Sequence, residues 1–114
     1  MTFKEIATMI GETGLEYTYY SFPEHEAPEL PYIVFYYPFN NDFGADNRNY
    51  VPIVNLNVEL YTENKDFNTE ATVEGVFDTY GLYYTKTETY LNGEEMFEVL
   101  YQMQIAIEGE ANGE

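Results

Sequence analysis

The sequence contains no cysteine, no tryptophan and only one histidine. Without cysteine, the chain has no disulfide bonds, no thiolate metal ligands and no cysteine nucleophile. A single histidine also leaves no second imidazole for a histidine-based zinc site. We therefore expect no metal and no cofactor, and a fold that needs no covalent cross-link.

Positive charge is scarce as well. The chain has 4 Lys+Arg residues against 21 Asp+Glu residues, which gives a formal net charge of −17. Nucleic-acid binding needs basic residues that neutralise phosphates, and four cations do not make a basic patch. An anionic membrane surface repels such a protein in the same way. We expect no sequence-specific nucleic-acid binding and no membrane binding.

Long apolar segments are missing too. The longest uninterrupted apolar run covers residues 32–37, far below the roughly 18 residues that a membrane span requires. A signal-peptide pattern is not visible, because Lys4 and Glu5 precede only a short apolar segment. The sequence predicts a soluble protein that is made in the cytoplasm.

Aromatic residues are abundant instead. Thirteen tyrosines and eight phenylalanines bring the aromatic fraction to 18%, within a hydrophobic fraction of 45%. Acidic disordered tails lack such residues because nothing in them packs. A chain of 114 residues suits one domain. We expect a single domain over residues 1–108 and a frayed acidic tail over residues 109–114.

The chain begins with a helix pattern. Thr2 and Glu5 have the spacing of a capping box, and the apolar residues between Phe3 and Ile10 follow a helical period. Gly11 and Gly14 favour the end of the helix.

Strand patterns and a second helix follow. Strands are predicted over 15–22, 32–37 and 54–61. A second helix is predicted to begin at a cap, either Asp66 or Asn68, and to end before Gly81. A hairpin is predicted over 83–91 and 97–107. Asn92 and Gly93 predict a tight type I′ turn, which the following Glu94 and Glu95 can widen. The order α-β-β-β-α-β-β predicts an α+β fold: a mostly antiparallel sheet of about five strands with two short helices on one face.

Catalytic signatures are not evident. His25 lies between two glutamates in a proline-bounded connection, where a solvated loop residue is the simpler interpretation. The loop over residues 40–47 has oxygen ligands at alternate positions, but Val51 occupies the place of the final calcium-binding glutamate. The acidic residues are interpreted as solvated surface. We expect a non-enzymatic protein with no catalytic residues.

The tyrosines suggest an interface. Both faces of the segment over residues 32–37 are apolar, so both require cover, and a buried tyrosine hydroxyl needs a hydrogen-bond partner. A partner subunit on the helix-free face would supply that cover; the alternative is a tyrosine-rich core. The candidate subunit-interface aromatics are Tyr19, Tyr20, Tyr36 and Tyr84.

Several segments carry a family resemblance: TFKEI (2–6), YYSFP (19–23), APELPY (27–32), ELYT (59–62) and LYYT (82–85). With the element order, they resemble structural proteins from the head–tail module of phages and prophages of Gram-positive bacteria. More specifically, residues 1 to about 108 resemble the tail terminator or tail completion (head–tail joining) family.

The resemblance implies a non-enzymatic virion structural protein without catalysis or cofactor. It implies a ring, usually of six copies, that caps the tail tube and offers a surface to the head connector. The partners are then other copies and other neck or tail proteins, and the location is the host cytoplasm during assembly and afterwards the virion. The implied assembly-contact loop contains Asn41, Asp42, Asp46, Arg48 and Tyr50.

Two other functions stay open at this point. A small acidic protein can act as a DNA mimic that inhibits a host nucleic-acid-binding enzyme, which requires carboxylates in rows, commonly along long helices. The short predicted helices make this the second choice. A carboxylate-based hydrolase requires a concave site and a carboxyl group of raised pKa.

Overall fold

The computed structural model describes residues 1–38 and 52–108. These residues form two helices and five strands. In chain order they are α1 (Phe3–Gly11), β1 (Glu16–Tyr19), β2 (Tyr32–Tyr36), β3 (Ile53–Thr62), α2 (Phe67–Thr79), β4 (Tyr84–Leu91) and β5 (Met96–Ala106). The predicted order of elements and the α+β class are confirmed.

The strands form one sheet in the order β1-β2-β3-β5-β4. Strands β1 and β2 are parallel, whereas the pairs β2–β3, β3–β5 and β4–β5 are antiparallel. A parallel pair requires a crossover connection between the ends of the two strands, and residues 20–31 make this connection. Strands β1 and β4 are left as the two edges of the sheet.

The hydrophobic core lies between one face of the sheet and the two helices. The helices contribute fully buried side chains, namely Ile6, Met9, Ile10, Val73 and Phe77. The sheet contributes alternate residues of its central strands, namely Val54, Leu56, Val58 and Leu60 of β3 and Val99, Tyr101, Met103 and Ile105 of β5. Burying one such side chain stabilises the fold by about 1.5–3 kcal/mol. The two helices therefore cover one face, as predicted.

Both helices begin at the predicted caps. The Thr2 hydroxyl accepts a hydrogen bond from the Glu5 amide at 3.0 Å, and the Glu5 carboxylate accepts one from the Thr2 amide at 2.9 Å. In α2, the cap is Asp66, which accepts hydrogen bonds from the amide and the hydroxyl of Thr69. Asn68, the other candidate cap, lies inside the helix. Each such cap contributes about 1 kcal/mol.

The first strand is shorter than the sequence predicts. A strand over 15–22 was expected, but β1 ends at Tyr19 because Tyr20 adopts a φ angle of 74°. The Tyr20 amide still donates to the Phe35 carbonyl at 2.8 Å, and the Ser21 amide turns back to the Tyr19 carbonyl at 2.9 Å. This left-handed residue turns the chain out of the sheet and starts the crossover connection.

The β4–β5 turn also differs from the prediction. A two-residue type I′ turn needs positive φ angles at Asn92 and Gly93. Instead, residues 92–95 form a four-residue loop, and within it only Glu95 has a positive φ, at 53°. Leu91 pairs with Met96, and the Glu94 amide donates to the Leu91 carbonyl. The turn therefore has the wider form that the sequence analysis allowed because of Glu94 and Glu95.

Candidate protein-interaction surface

The sheet has a second face, which we call the open face, formed by side chains that point away from the helices. Its central residues are Tyr32, Val34 and Tyr36 of β2, Asn57, Glu59 and Tyr61 of β3, and Glu98, Leu100 and Gln102 of β5. Within residues 1–38 and 52–108, both helices belong to the core on the opposite face. The open face therefore carries aromatic and apolar groups without a covering layer of helices.

Part of the cover on β2 comes from the chain itself. Val34 points to the open face and is only 8% exposed. Phe22 packs edge-on against Tyr32 with ring centroids 5.2 Å apart, and Tyr20 packs edge-on against Tyr36 at 6.1 Å. The crossover connection thus supplies some of the cover that the sequence analysis assigned to a partner subunit.

Two glutamates and two tyrosines form a cluster at the centre of the open face. Glu59 accepts a hydrogen bond from the Tyr36 hydroxyl at 2.7 Å and from the Tyr61 hydroxyl at 2.6 Å. The Tyr61 hydroxyl also lies 3.4 Å from a carboxylate oxygen of Glu98. The pairing of β3 with β5 creates this cluster, because it sets Tyr61 opposite Glu98.

The cluster holds negative charge that no lysine or arginine among the described residues neutralises. Burial and the nearby Glu59 raise the pKa of the Glu98 carboxyl group above its usual value. Burial and the hydrogen bond to Glu59 raise the pKa of the Tyr61 hydroxyl. Among residues 1–38 and 52–108, no lysine or arginine forms a salt bridge with Glu59 or Glu98. Within the described part of the chain, two tyrosine hydroxyls stabilise the Glu59 carboxylate.

A groove with a volume of about 410 Å³ lies beside this cluster. One wall is the start of the crossover connection and the other is the β4–β5 loop. Its aromatic lining consists of Tyr20, Phe22, Tyr32 and Tyr61, and its aliphatic lining includes Val34, Leu91 and Met96. The carboxylates of Glu24, Glu59 and Glu94 also line it. The groove is therefore aromatic, apolar and acidic at once.

A different arrangement of charges lies on the helix side of the sheet. Glu70 of α2 is 2% exposed, which corrects the expectation that the acidic residues are solvated surface. Lys65 reaches Glu70 at 2.8 Å and Lys86 reaches it at 2.9 Å. Lys65 also pairs with Glu88, and Lys86 also pairs with Glu74, each at 2.6 Å. Two of the four basic residues in the sequence are used in this network.

The two lysines set the protonation of Glu70. Burial opposes its ionisation, but the hydrogen bonds from Lys65 and Lys86 outweigh burial and lower the pKa of Glu70. Hydrogen bonds to Glu70 and Glu88 raise the pKa of Lys65, and hydrogen bonds to Glu74 and Glu70 raise the pKa of Lys86. Glu74 additionally accepts a hydrogen bond from the buried Tyr101 at 2.7 Å. The network joins α2 to β4 and β5.

The four predicted interface tyrosines do not form one patch. Tyr20 and Tyr36 meet on the open face. Tyr19 lies on the helix-bearing side, where it contacts Phe35 and is 51% exposed. Tyr84 packs against the core residues Phe77 and Tyr101 with ring centroids 5.5 and 5.4 Å away. The structure therefore brings Tyr20 together with Tyr36 on the open face, and the Tyr19 ring lies 6.4 Å from that of Tyr20, whereas Tyr84 packs against the core.

Sequence reasoning did not single out Glu59, Tyr61 and Glu98. All three occupy outward positions in alternating strand patterns, which mark them only as surface residues. Their proximity depends on the pairing of β3 with β5, which the sequence does not specify. The period-two pattern places Glu59 and Tyr61 on the same face, and this was the one signal available.

The remaining candidate sites from the sequence are the assembly-contact loop, the segment considered for calcium, and His25. The assembly-contact loop residues Asn41, Asp42, Asp46, Arg48 and Tyr50, and the segment considered for calcium, lie outside the described residues. The His25 side chain is 89% exposed and lies 3.5 Å from Glu24. Across residues 1–38 and 52–108, no group of three or more His, Asp or Glu side chains is arranged to hold a metal ion.

Comparisons with known proteins give no further guide. A scan against models of protein families, a search of curated proteins and a search of solved structures each found no match to this chain. Neither helix in the described part of the chain has the length and apolar character needed to cross a membrane.

Proposed function

We propose that this chain is a non-enzymatic virion assembly protein, a tail terminator or head–tail joining subunit that acts as part of a ring at the phage neck or tail. The observation that carries the proposal is the open face, with its tyrosines, its groove and no helix of the described chain upon it. The family resemblance of the sequence adds the phage context. The proposed location is the host cytoplasm during assembly and then the virion.

The composition of the open face suits a protein contact. Tyrosine is enriched at interfaces because its ring packs while its hydroxyl stays hydrated or hydrogen-bonded. Tyr36 and Tyr61 are both half-buried with their hydroxyls on Glu59. A partner that covers this face buries the rings without leaving a hydroxyl unpaired. These two hydroxyls therefore need no new partner, whereas burying the Glu59 carboxylate requires a compensating group on the partner protein.

The edges of the sheet suit a ring. A head-to-tail contact that joins two different surfaces produces a closed ring when the rotation between copies closes. Strand β4 is an exposed edge of eight residues, and the four-residue β1 is the opposite edge. An unpaired edge offers backbone donors and acceptors to another strand. In this proposal, β4 of one copy contacts the β1 edge of the next.

Catalysis forms no part of the proposal. Glu98 is the carboxyl group of raised pKa on the open face, as a general acid would require. The groove, however, is lined by Glu59 and not by Glu98. The carboxyl group of raised pKa and the glutamates that line the groove, Glu24, Glu59 and Glu94, are therefore different residues, which favours a binding surface over a glycoside hydrolase site.

The DNA-mimic alternative is less favoured. Mimicry requires free carboxylates in rows spaced like phosphates, and α1 and α2 have only nine and thirteen residues. In α2, Glu70 and Glu74 are paired with lysines and are not displayed. On the open face, Glu59 and Glu98 lie beside Tyr61 and do not continue into a row of carboxylates, because Asn57, Leu100 and Gln102 occupy the neighbouring positions. These features favour an assembly protein over a phosphate mimic.

Deleting the gene in the phage and imaging the particles by electron microscopy tests the proposal. We expect full heads beside overlong or unattached tails, and normal particles when the gene is supplied in trans. Normal infectious virions from the deletion would contradict the assembly role. As an internal control, the same deletion complemented by the Glu63→Gln variant, altered at an exposed residue that does not line the groove, should restore normal particles.

A further inference from the structure

We infer that the groove on the open face binds an extended segment of a different protein, and that an arginine or lysine side chain of this segment enters the groove next to Glu59. This inference rests on the proposed assembly role, since it names the chemistry of the partner that the open face binds. It follows from the lining of the groove and from the distribution of charge over the molecule.

The lining fits a long cationic side chain. Four aromatic residues line the groove, Tyr20, Phe22, Tyr32 and Tyr61, and aromatic rings attract cations over their faces. Val34, Leu91 and Met96 supply apolar surface for the methylene groups of such a side chain. A volume of about 410 Å³ is at the lower end of the roughly 300–1,000 Å³ typical of ligand clefts. That space suits one long side chain and its flanking backbone.

The charges that line the groove indicate that its ligand is positively charged. Glu24, Glu59 and Glu94 line the groove, as does His25, whose ring lies 3.5 Å from Glu24; no lysine or arginine among the described residues lines it. The charge of Glu94 also reaches Tyr32, where burial and this charge raise the pKa of the hydroxyl. A cation that enters the groove is thus attracted by carboxylates from the crossover connection, from β3 and from the β4–β5 loop.

The helix side of the same molecule shows what such a cation does. There, the buried Glu70 receives hydrogen bonds from two lysines, Lys65 and Lys86. On the open face, the hydrogen bonds that Glu59 receives from residues 1–38 and 52–108 come from tyrosine hydroxyls, and the pKa of its neighbour Glu98 is raised. An incoming guanidinium or ammonium group supplies to the Glu59 carboxylate the compensation that Glu70 obtains within the chain.

A different protein is a better occupant than a second copy. Each copy carries a net charge of −17, so the groove of one copy repels the surface of another. Only four basic residues exist in the chain, and Lys65 and Lys86 are already held in the Glu70 network. A partner with exposed basic residues has the opposite charge and meets no such repulsion.

A peptide titration of the full-length chain tests this inference. The probe is acetyl-Gly-Arg-Gly-amide, and the matched control is the same peptide with citrulline, which has nearly the same shape but no charge. Two-dimensional NMR should show shifts at Val34, Tyr61 and Met96, with a dissociation constant in the millimolar range for the arginine peptide. The citrulline peptide should bind at least about fivefold more weakly. Equal binding of both peptides, no binding, or shifts elsewhere would overturn the inference.

Variants that each remove one negative charge show which glutamates bind the arginine side chain. Glu59→Gln should weaken binding of the arginine peptide about tenfold, and Glu94→Gln about threefold. Glu63→Gln removes the same charge from an exposed residue that does not line the groove, and it should change binding less than about twofold. Because Glu94 lies on the exposed β4–β5 loop, its variant remains informative if Glu59→Gln fails to fold. Equal losses of peptide binding in all three variants would show that net charge alone causes the effect and would reject the groove as the binding site.

The inference and the proposed function fail in different experiments. Peptide binding is measured on the purified protein and needs no phage particle. Defective particles from the gene deletion, combined with equal binding of arginine and citrulline peptides, would overturn the groove inference alone. Normal particles from the deletion, combined with arginine-selective binding, would overturn the assembly role and leave a binding protein for basic segments.

Discussion

Individual glutamates in this protein have opposite electrostatic environments. Glu70 lies between Lys65 and Lys86, and its pKa is lowered although burial opposes ionisation. Glu98 lies near Glu59, no lysine or arginine among the described residues pairs with it, and burial together with Glu59 raises its pKa. The same residue type therefore stabilises the folded state in one place and destabilises it in the other, depending on which side chains surround it.

Replacing Glu70 should destabilise the fold. The Glu70→Gln variant removes the negative charge between two lysines, each of which keeps one other carboxylate partner, Glu88 or Glu74. We expect a loss of about 1–3 kcal/mol in the free energy of unfolding at pH 7, measured by urea denaturation. The matched control is Glu63→Gln, which should change stability by less than about 0.5 kcal/mol. Equal stability of the two variants would show that the network contributes nothing.

Replacing Glu98 should have the opposite effect, and one that depends on pH. Because burial and Glu59 raise its pKa, ionisation of Glu98 costs the folded state stability above that pKa and costs nothing once the group is protonated. The facing ionisable groups are Glu59 and Tyr61 of β3 and Tyr36 of β2. We expect Glu98→Gln to raise the melting temperature at pH 8, with a gain that disappears as the pH falls towards 4.

Melting curves for wild type and variant from pH 4 to pH 8 measure this dependence. The control is again Glu63→Gln, whose difference from wild type should not vary in this way. A gain in melting temperature from Glu98→Gln that is the same at every pH, or a loss at pH 8, would show that ionised Glu98 does not destabilise the folded protein.

At the scale of elements, the β4–β5 loop contains a residue in a conformation that favours glycine. Glu95 has a φ of 53°, which costs an ordinary residue roughly 1–2 kcal/mol relative to glycine. Glycine also loses more backbone entropy on folding, which offsets part of the gain. We expect Glu95→Gly to stabilise the protein by about 0.5 kcal/mol in urea denaturation.

The adjacent residue provides the control for this prediction. Glu94 carries the same charge in the same loop but does not have a positive φ, so Glu94→Gly should be neutral or destabilising. If both glycine variants stabilise the protein equally, relief of charge repulsion and not backbone conformation is the cause.

Local signals predicted most of the elements, and long-range pairing determined the rest. The capping box at Thr2 and the cap at Asp66 are local patterns, and both helices start where these patterns place them. The end of β1 depends on the left-handed conformation of Tyr20, which no residue preference indicates, since a bulky aromatic residue rarely adopts it. Asn92 and Gly93 favour a tight turn, but the chain uses Glu95 for its positive φ instead.

The candidate site was less predictable than the fold for the same reason. The tyrosine excess indicated an interface, and Tyr36 does lie on the open face. The Glu59–Tyr61–Glu98 cluster depends on how β3 pairs with β5, and a shift of that pairing by one residue would turn Glu98 to the core side. The groove depends in addition on the path of the crossover connection over Val34. Neither property is encoded in a local pattern.

At the scale of the whole molecule, net charge opposes association of identical copies. Each copy adds a charge of −17, and electrostatic repulsion acts over about 10 Å at 0.1 M salt but only about 3 Å at 1 M. We expect ring formation by the purified protein to strengthen as NaCl rises from 0.05 to about 1 M. Light scattering across this series measures the average mass of the particles. Rings that dissociate as salt increases would contradict the charge argument.

Salt should act in the opposite direction on the groove. Attraction between an arginine side chain and the groove carboxylates is screened by the same ions, so binding of the arginine peptide should weaken over the salt range that strengthens association. This difference in sign separates contacts between copies from contacts with a basic partner.

The most direct test of the central claim is the amount of this protein in purified phage particles, measured by quantitative mass spectrometry. A ring subunit of the neck or tail should be present at a fixed number of copies, about six per particle, in every preparation. An inhibitor of a host enzyme would instead remain in the lysate. A protein that is abundant in infected cells but missing from purified particles would contradict the assembly role.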